Sequence, residues 1–400
     1  MKRTRRVVAG VLIIFSLSFL QGCWSRKEIE DLAVVTMIGL DRITEQGVDK
    51  WRYTARIMQP KAGQGGQGGN QQSNGAPQGG KELLLTGTGL TMQEAARNTG
   101  LRSPRYIFMS FVSTIVVGER AAREGVSEIA EIRGRYRDFR PRTYIAVTNG
   151  EAFDVLQSCP EVSDTLYEEI EGLADHKAER IGVACSMDWN YFVQNLLGPD
   201  RDAVAPRITT VQPKEDPANG VRQAAFLQGN AVFRGDKLAG WLNEEETLGY
   251  ILAVGDLNNA IIPITLVEGD KRVAYLVGRF RSTIEPVVGA GKVSFRLKVK
   301  TWGEVDETHN IRVNDDSLQW VEAAAADKIR GVVLKAIDKT KELNADVIGF
   351  SQELHRTNLE AWGDYRPAWR DNFRKAEIEV EVECKVTRTG RLGKGEAFKD

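Results

Sequence analysis

The residue with the clearest chemistry is Cys23. It follows Leu20-Gln21-Gly22 at the end of an uninterrupted apolar stretch of fourteen residues, 7–20. A small residue before a cysteine is the pattern of a lipobox. A lipoprotein signal peptidase would cut between Gly22 and Cys23 once the Cys23 thiol carries a diacylglyceryl group. Fourteen apolar residues suit a signal peptide and fall short of the roughly 20 needed to span a bilayer. Lys2, Arg3, Arg5 and Arg6 form the basic end that stays on the cytoplasmic side, so the rest of the chain is exported. Each buried CH₂ contributes about 0.8 kcal/mol, so one acyl chain anchors marginally and two anchor stably. The Arg5-Arg6 pair reads as incidental in so basic a segment.

The remaining reactive side chains are sparse. Cys159, Cys185 and Cys384 are widely spaced and odd in number, which argues against a disulfide framework. A Cys159–Cys185 bridge and three buried thiols both stay open. His176, His309 and His355 are far apart and show no metal-ligand spacing. No HExxH, GxSxG, SxxK, P-loop or EF-hand pattern occurs, so the expectation is no catalytic residue, no metal and no cofactor beyond the lipid on Cys23. Gly87-Thr88-Gly89 lies between a strand and a helix but lacks the third glycine of a dinucleotide loop, where Met92 stands. Arg234-Gly235-Asp236 spells an adhesion tripeptide, and between two apolar strands it reads as an ordinary hairpin turn.

Composition sets the frame around these residues. The 400 residues are 42% hydrophobic and 27% charged, enough for two or three folded domains. The basic side chains of residues 1–22 account for four charges, so a chain beginning at Cys23 carries −5 rather than −1. No basic stripe runs through it, which disfavours nucleic-acid binding. The net charge also disfavours adhesion to anionic lipid by charge alone.

The elements that must position these residues follow from periodicity. Residues 32–40, LAVVTMIGL, suit a buried strand. Trp51, Tyr53, Ala55 and Ile57 alternate with Arg52, Thr54 and Arg56, a half-buried strand. Residues 62–80 hold only Gly, Gln, Asn, Ala, Ser and Pro, and predict a disordered loop inside a hairpin whose second strand spans 82–86. A helix over 91–98, a long strand over 106–117, a helix over 121–133, a strand over 143–148 and helices over 163–173 and 188–197 follow. Residues 198–221 are rich in Pro and Gly and predict a linker. A compact segment comes next, with strands 223–228, 230–234 and 237–242. Asn243 then precedes Glu244, Glu245 and Glu246, a capping box opening a helix to about 254.

In the last part, Val293, Phe295, Leu297 and Val299 alternate with Ser294, Arg296, Lys298 and Lys300. Ile378, Val380, Val382, Cys384 and Val386 alternate with Glu379, Glu381, Glu383 and Lys385, so the two polar faces complement each other as neighbours. A helix over 318–343 lies between them, with Ala324, Ile329, Val332, Val333, Ala336 and Ile337 on its apolar stripe. The expected fold class is therefore α+β: mostly antiparallel or mixed sheets with helices packed on them. The expected division is a signal peptide 1–22, an N-terminal α+β domain 23–200, a linker and middle domain 201–270, and a C-terminal α+β domain 271–400. Trp362, Tyr365, Trp369 and Phe373, interrupted by Pro367, read as a core staple before an exposed patch.

Five stretches together resemble one family, the Ger(x)C spore germination lipoproteins. They are GCWSRKEI with the following DLAVVTMIGLDR, FMSFVSTIVVGERAAREGV at 108–126, RYRDFRPRTYIAVTNGEAFDVL at 135–156, AVFRGDKLAGWLNEEETLGYILAVG at 231–255, and ADVIGFSQELHRTNLEAWGDYRPAWRDNF at 345–373. They run in order through the chain after Cys23. Ser351 stands where the family usually has glycine, and the insert at 62–80 is peculiar to this chain.

The resemblance implies a three-domain α+β lipoprotein on the outer leaflet of the spore inner membrane. It implies a complex with two integral-membrane partners, an A subunit and a transporter-like B subunit, in which small nutrients trigger germination, and it implies no catalysis. Lys237, Glu244, Glu245, Trp362 and Trp369 are the expected partner-contact residues. The competing expectation is a solute-binding lipoprotein of an ABC importer. That class calls for buried parallel strands alternating with helices, whereas half-buried alternating strands are what the sequence suggests.

Overall fold

A computed structural model describes residues 31–58, 82–135, 142–176, 180–186, 188–211, 223–289, 292–309 and 315–388. The expected signal peptide, Cys23 and the 62–80 insert lie outside the described residues. Among the described residues no helix is long and apolar enough to cross a membrane.

The apolar run after residue 31 becomes β1 (Leu32–Glu45), the centre of a nine-stranded sheet. Its antiparallel neighbour β2 (Val48–Met58) pairs in turn with β3 (Glu82–Gly89). Trp51, Tyr53, Ala55 and Ile57 are buried as the alternation requires. Thr54 and Arg56 on the other face are buried too, because a second core covers that face. Arg56 donates there to the carbonyls of Leu156 and Ser158 and pairs with Glu82. In β1 a register shift between Val35 and Met37 swaps the phase, so Ala33, Val35, Ile38 and Leu40 feed one core while Met37 feeds the other.

Met58 and Glu82 are register partners, so the insert leaves and re-enters the sheet at adjacent points. Replacing residues 62–80 by a short turn should change stability by less than about 1 kcal/mol, since closure entropy depends only weakly on loop length. A thermal melt of the lipidated chain and the shortened variant checks this. A larger loss would mean that the insert packs against the sheet.

Helix α1 (Met92–Gly100) lies against β3, and this closeness explains the glycine pair of the would-be nucleotide loop. A Cβ on Gly87 would sit 2.4 Å from the Thr99 nitrogen, and one on Gly89 would sit 2.6 Å from the Ala95 nitrogen. The long strand expected over 106–117 is instead two short ones, β4 (Tyr106–Phe108) and β5 (Thr114–Val117), both parallel to β1. The break follows the register shift in β1: the Thr36 carbonyl leaves its ladder to accept the Ser113 N–H at 2.8 Å.

The helix expected over 121–133 is also split, into α2 (Glu119–Glu124) and α3 (Ser127–Arg135), at Gly125, whose φ is +139°. Then come β6 (Tyr144–Val147), α4 (Ala152–Gln157), α5 (Leu166–His176) and α6 (Trp189–Leu197), the last capped by Asp188.

The expected linker contains a strand, β7 (Val204–Val211), which pairs parallel with β6 and antiparallel with β8 (Ala224–Arg234). β9 (Lys237–Leu242) completes the sheet, so the boundary placed at 200/201 does not interrupt it. Four adjacent strands, β1, β5, β6 and β7, thus run parallel with cores on both faces, within the mixed sheet expected but where half-buried alternating strands were suggested.

The Gly235-Asp236 turn joins β8 to β9, and Gly235 has φ +60°. The Asp236 carboxylate accepts the Ser127 hydroxyl at 2.6 Å and its carbonyl accepts the Val126 N–H, so this tripeptide braces the α2–α3 break. Gly235→Val should cost about 1–2 kcal/mol from left-handed strain alone. Asp236→Ala should cost about 1 kcal/mol from the lost hydrogen bond. Urea midpoints check both. An unchanged midpoint in Gly235→Val would contradict the turn geometry.

Helix α7 (Glu244–Val254) opens on the complete Asn243/Glu246 capping box. The C-terminal sheet begins earlier than residue 271, with β10 (Asp256–Glu268), followed by β11 (Lys271–Gly289) and β12 (Lys292–His309). Helix α8 (Asp315–Glu342) covers one face. Beyond α9 (Phe350–Thr357), α10 (Leu359–Tyr365), a 3₁₀ turn Arg366–Ala368 and α11 (Trp369–Lys375), β13 (Glu377–Arg388) returns beside β12. The complementary charges meet: Arg296 pairs with Glu379 and Glu381, and Lys300 with Glu383. The two strands run parallel because the α8–α11 crossover connects them.

Candidate functional site

The charged motif residues gather at two junctions. The first closes the carboxyl ends of β1, β5 and β6. Asp41, just past the stretch of β1 that pairs with β5, is 2% exposed and accepts the Ala152 N–H at 2.6 Å and the Phe153 N–H at 3.1 Å, the first amides of α4. Arg52 reaches it at 2.8 Å and bridges to Glu151 at 2.8 Å. Gly118 must lack a side chain here, since a Cβ would fall 2.1 Å from Asp41 Oδ1. Burial pushes the Asp41 carboxyl above its ordinary range, while Arg52 and the two amides pull it back. A cleft of about 750 Å³ beside it is lined by Arg42, Thr44, Arg120, Arg123 and Glu124. Residues from the GLDR, VGER and NGEAF stretches therefore hold one another in place.

The second junction joins the two sheets. Asp346 is 3% exposed and accepts five hydrogen bonds. Three come from the Gly349, Phe350 and Ser351 amides at 2.9, 3.0 and 2.7 Å, one from the Ser351 hydroxyl at 2.7 Å and one from Trp369 Nε1 at 3.2 Å. It is the acceptor for the start of α9. Burial pushes this carboxyl up also, against the pull of the Ser351 hydroxyl and the backbone amides.

Residues 200–202 cross this junction. Arg201 donates to the Val347 carbonyl at 2.8 Å and to the Tyr250 hydroxyl at 3.2 Å. The Asp202 N–H donates to the Asp346 carbonyl at 3.1 Å, while the Asp202 carboxylate accepts the Asp346 N–H at 2.9 Å and a forked pair from Arg370 at 3.1 and 3.0 Å. A cleft of about 460 Å³ lies over Asp202, Gly235, Trp369 and Arg370.

Ser351, His355 and Asp200 have the residue types of a hydrolytic triad but not its geometry. His355 Nδ1 meets Asp200 at 2.7 Å, and the His355 ring stacks on Trp362 with centroids 5.6 Å apart. Ser351 is 2% exposed and gives its hydroxyl to Asp346 and to the Asp200 carbonyl instead of to histidine. Its hydroxyl thus has a bonding role at the position where the family usually has glycine. Both buried carboxylates with raised pKa accept at helix starts, and each also lines one of the two clefts. Among the described residues no group of three or more His, Cys, Asp or Glu could hold a metal. Cys159, Cys185 and Cys384 are free thiols, so the Cys159–Cys185 bridge does not form, and burial pushes the Cys384 thiol up to about 11.

The expected contact residues divide. Lys237 and Glu244 are exposed. Glu245 is exposed but engaged by Lys335 and Lys328 of α8. Trp362 is 3% exposed, packed between His355 and Trp369, and is corrected from contact residue to core. Trp369 is half-buried, with its N–H committed to Asp346. Asp41, Asp202, Asp346 and Arg370 were not singled out from sequence. Asp346 carries a local signal, an aspartate shortly before Gly349 and a helix, whereas Asp41 lies 111 residues from its partner Ala152.

Comparison with known proteins agrees with this arrangement. Residues 25–210 match the spore germination protein N-terminal domain, and residues 228–390 match the C-terminal domain described as spore germination B3/GerAC like. Spore germination protein YndF of Bacillus subtilis (strain 168) is 25% identical over 98% of this chain and 98% of its own. Spore germination protein KC of the same organism is 21% identical over 96% of both chains. The crystal structure of GerBC shares the fold, with TM-score 0.52 and 16% identity over 88% of this chain and 97% of that one. With the two domain matches together spanning residues 25–210 and 228–390, the chain belongs to the Ger(x)C family of spore germination proteins.

Proposed function

We propose that this protein is the lipid-anchored, non-enzymatic C subunit of a nutrient germinant receptor. It is held by acyl chains on Cys23 at the outer face of the spore inner membrane and works with integral-membrane A and B subunits. The observation that carries the reading is the pair of germination-domain matches spanning residues 25–210 and 228–390. The engagement of Asp41 and Asp346 in helix starts supports a role through contact, since both carboxylates are committed to backbone amides. The parallel strands β1, β5, β6 and β7 are the one feature that also suits a solute-binding lipoprotein of an importer. Against it stand the germination relatives over nearly the whole chain.

The anchor is tested by Cys23→Ala. The variant should take up no labelled palmitate, remain uncut by the lipoprotein peptidase and fail to restore nutrient germination in a deletion strain. Equal palmitate uptake by wild type and variant would reject the anchor. Unchanged germination in the deletion strain itself would reject the receptor role.

A further inference from the structure

The net charge of the chain hides a local asymmetry. Residues 95–118 contain Arg97, Arg102 and Arg105 and not one Asp or Glu. This stretch runs from α1 through β4 to β5; Arg102 donates to the Thr86 carbonyl of β3 at 2.9 Å, and Arg105 directly precedes β4 at the start of the large sheet. β1 and β4 begin at the same end of that sheet, while β5 and β6, parallel to them, begin beside Met37. Three large apolar side chains are exposed in this stretch: Leu101 by 74%, Tyr106 by 54% and Phe111 by 47%. Arg102 is exposed and Arg105 half-buried beside them, and Arg142 is exposed just before β6. The acidic first turn of α5 is turned to the opposite face of the sheet, where Glu169 accepts the amides of residues 161–163.

The tether ends at the same place. Leu32 is the register partner of Tyr106 and lies nine positions after Cys23. Even fully extended, nine residues reach only about 32 Å. The opposite end of β1, at the Gln46-Gly47 turn, is a further fourteen residues along the strand, roughly 45 Å away. A lipid on Cys23 therefore brings the arginine-bearing end to the membrane first. Arginines with tyrosine, phenylalanine and leucine between them suit an anionic headgroup layer, which takes the charge at its surface and the rings at its boundary.

We propose that this end of the sheet, on the α1 side, rests on the anionic headgroups of the leaflet that holds Cys23, with Arg102 and Arg105 binding phosphate and Tyr106 and Phe111 entering the interface. The inference rests on the lipid anchor of the proposed function. It adds a local basic and aromatic surface to a chain whose net charge disfavours adhesion to anionic lipid by charge alone.

The test uses the purified, palmitate-labelled full chain in a Cys159→Ser background, reconstituted in vesicles of phosphatidylglycerol and phosphatidylcholine. Nitroxides are placed by Tyr106→Cys, Phe111→Cys or, as control, Val48→Cys beside the far turn. Labels at 106 and 111 should collide mainly with lipid-dissolved oxygen and the label at 48 mainly with an aqueous nickel complex. Arg102→Glu with Arg105→Glu, or vesicles of phosphatidylcholine alone, should reduce the lipid contact at 106 and 111 roughly tenfold or more. Water-exposed labels at 106 and 111 on a chain whose Cys23 carries palmitate would overturn the surface and leave the anchor standing. Shielding of 106 and 111 only when integral-membrane partners are co-reconstituted would make the occupant a protein and overturn it as well. Absence of palmitate on Cys23 would overturn both readings.

Discussion

Asp346→Ala should destabilise the protein by about 3–5 kcal/mol, one of the largest losses available to a single substitution here. The change removes the acceptor for three backbone amides at the start of α9, for the Ser351 hydroxyl and for Trp369 Nε1. Each buried donor left without a partner costs about 1–3 kcal/mol, and the sum falls short of additive because water enters the space. The cost of holding a buried carboxylate, visible in its raised pKa, offsets part of the loss. Asp346→Asn keeps one acceptor oxygen and should lose about half as much. The urea midpoint of unfolding measures both, with Arg370→Ala as the companion that opens only the exposed side of the junction. A loss below about 1 kcal/mol for Asp346→Ala would mean that α9 starts without this carboxylate and that the two sheets are joined by other contacts.

Gly249→Val should be comparably damaging for a different reason. Gly249 is buried in α7 where that helix crosses α8, and a Cβ there would lie 2.0 Å from the Val332 carbonyl oxygen and 3.0 Å from the Ala336 Cβ. Backbone cannot move aside as a flexible side chain can, so the helices must separate. Overpacking of this kind costs about 1–3 kcal/mol and more when backbone is displaced. The variant should lose at least about 3 kcal/mol, whereas Gly331→Ala on the exposed face of α8, with nothing within 4 Å of its Cβ, should gain about 0.5–1 kcal/mol from helix propensity. The opposite signs at two helical glycines separate packing from propensity. A neutral Gly249→Val would contradict the close α7–α8 approach.

The readable parts of the fold are those in which local pattern and tertiary role coincide. The alternation in β2 predicted its buried face, the Asn243 box marked the start of α7, and the opposed charges of β12 and β13 predicted their pairing. Strands β7 and β10 were concealed by proline, which usually argues against a strand. In β7, Pro206 sits at a register shift against β8, and in β10, Pro263 sits on the edge strand of its sheet, two places where a missing N–H is tolerated. The split of the 106–117 run was concealed because its cause lies in β1, about 75 residues earlier, where the Thr36 carbonyl turns to Ser113. Of the proposed sites, the one at Cys23 rests on contiguous residues alone, Leu20 to Cys23. Asp41 and Asp202 are not legible from sequence, because their partners are brought to them only by the folded sheets.

The junctions also shape what the protein can do. A chain whose motif residues fix its two sheets into one body presents rigid surfaces, and rigid surfaces suit recognition by contact. Lys237 and Glu244 remain the exposed candidates for a protein partner, beside the α7 end that Glu245 ties to α8.

The most direct measurement is recovery of the affinity-tagged, lipidated protein from spore inner membranes in mild detergent, with its companions identified by mass spectrometry. The account predicts two integral-membrane germinant-receptor subunits at stoichiometric levels, retained in wild type and lost in Cys23→Ala. Recovery of an importer permease with its ATPase, in place of receptor subunits, would contradict it and make the protein a solute-binding lipoprotein.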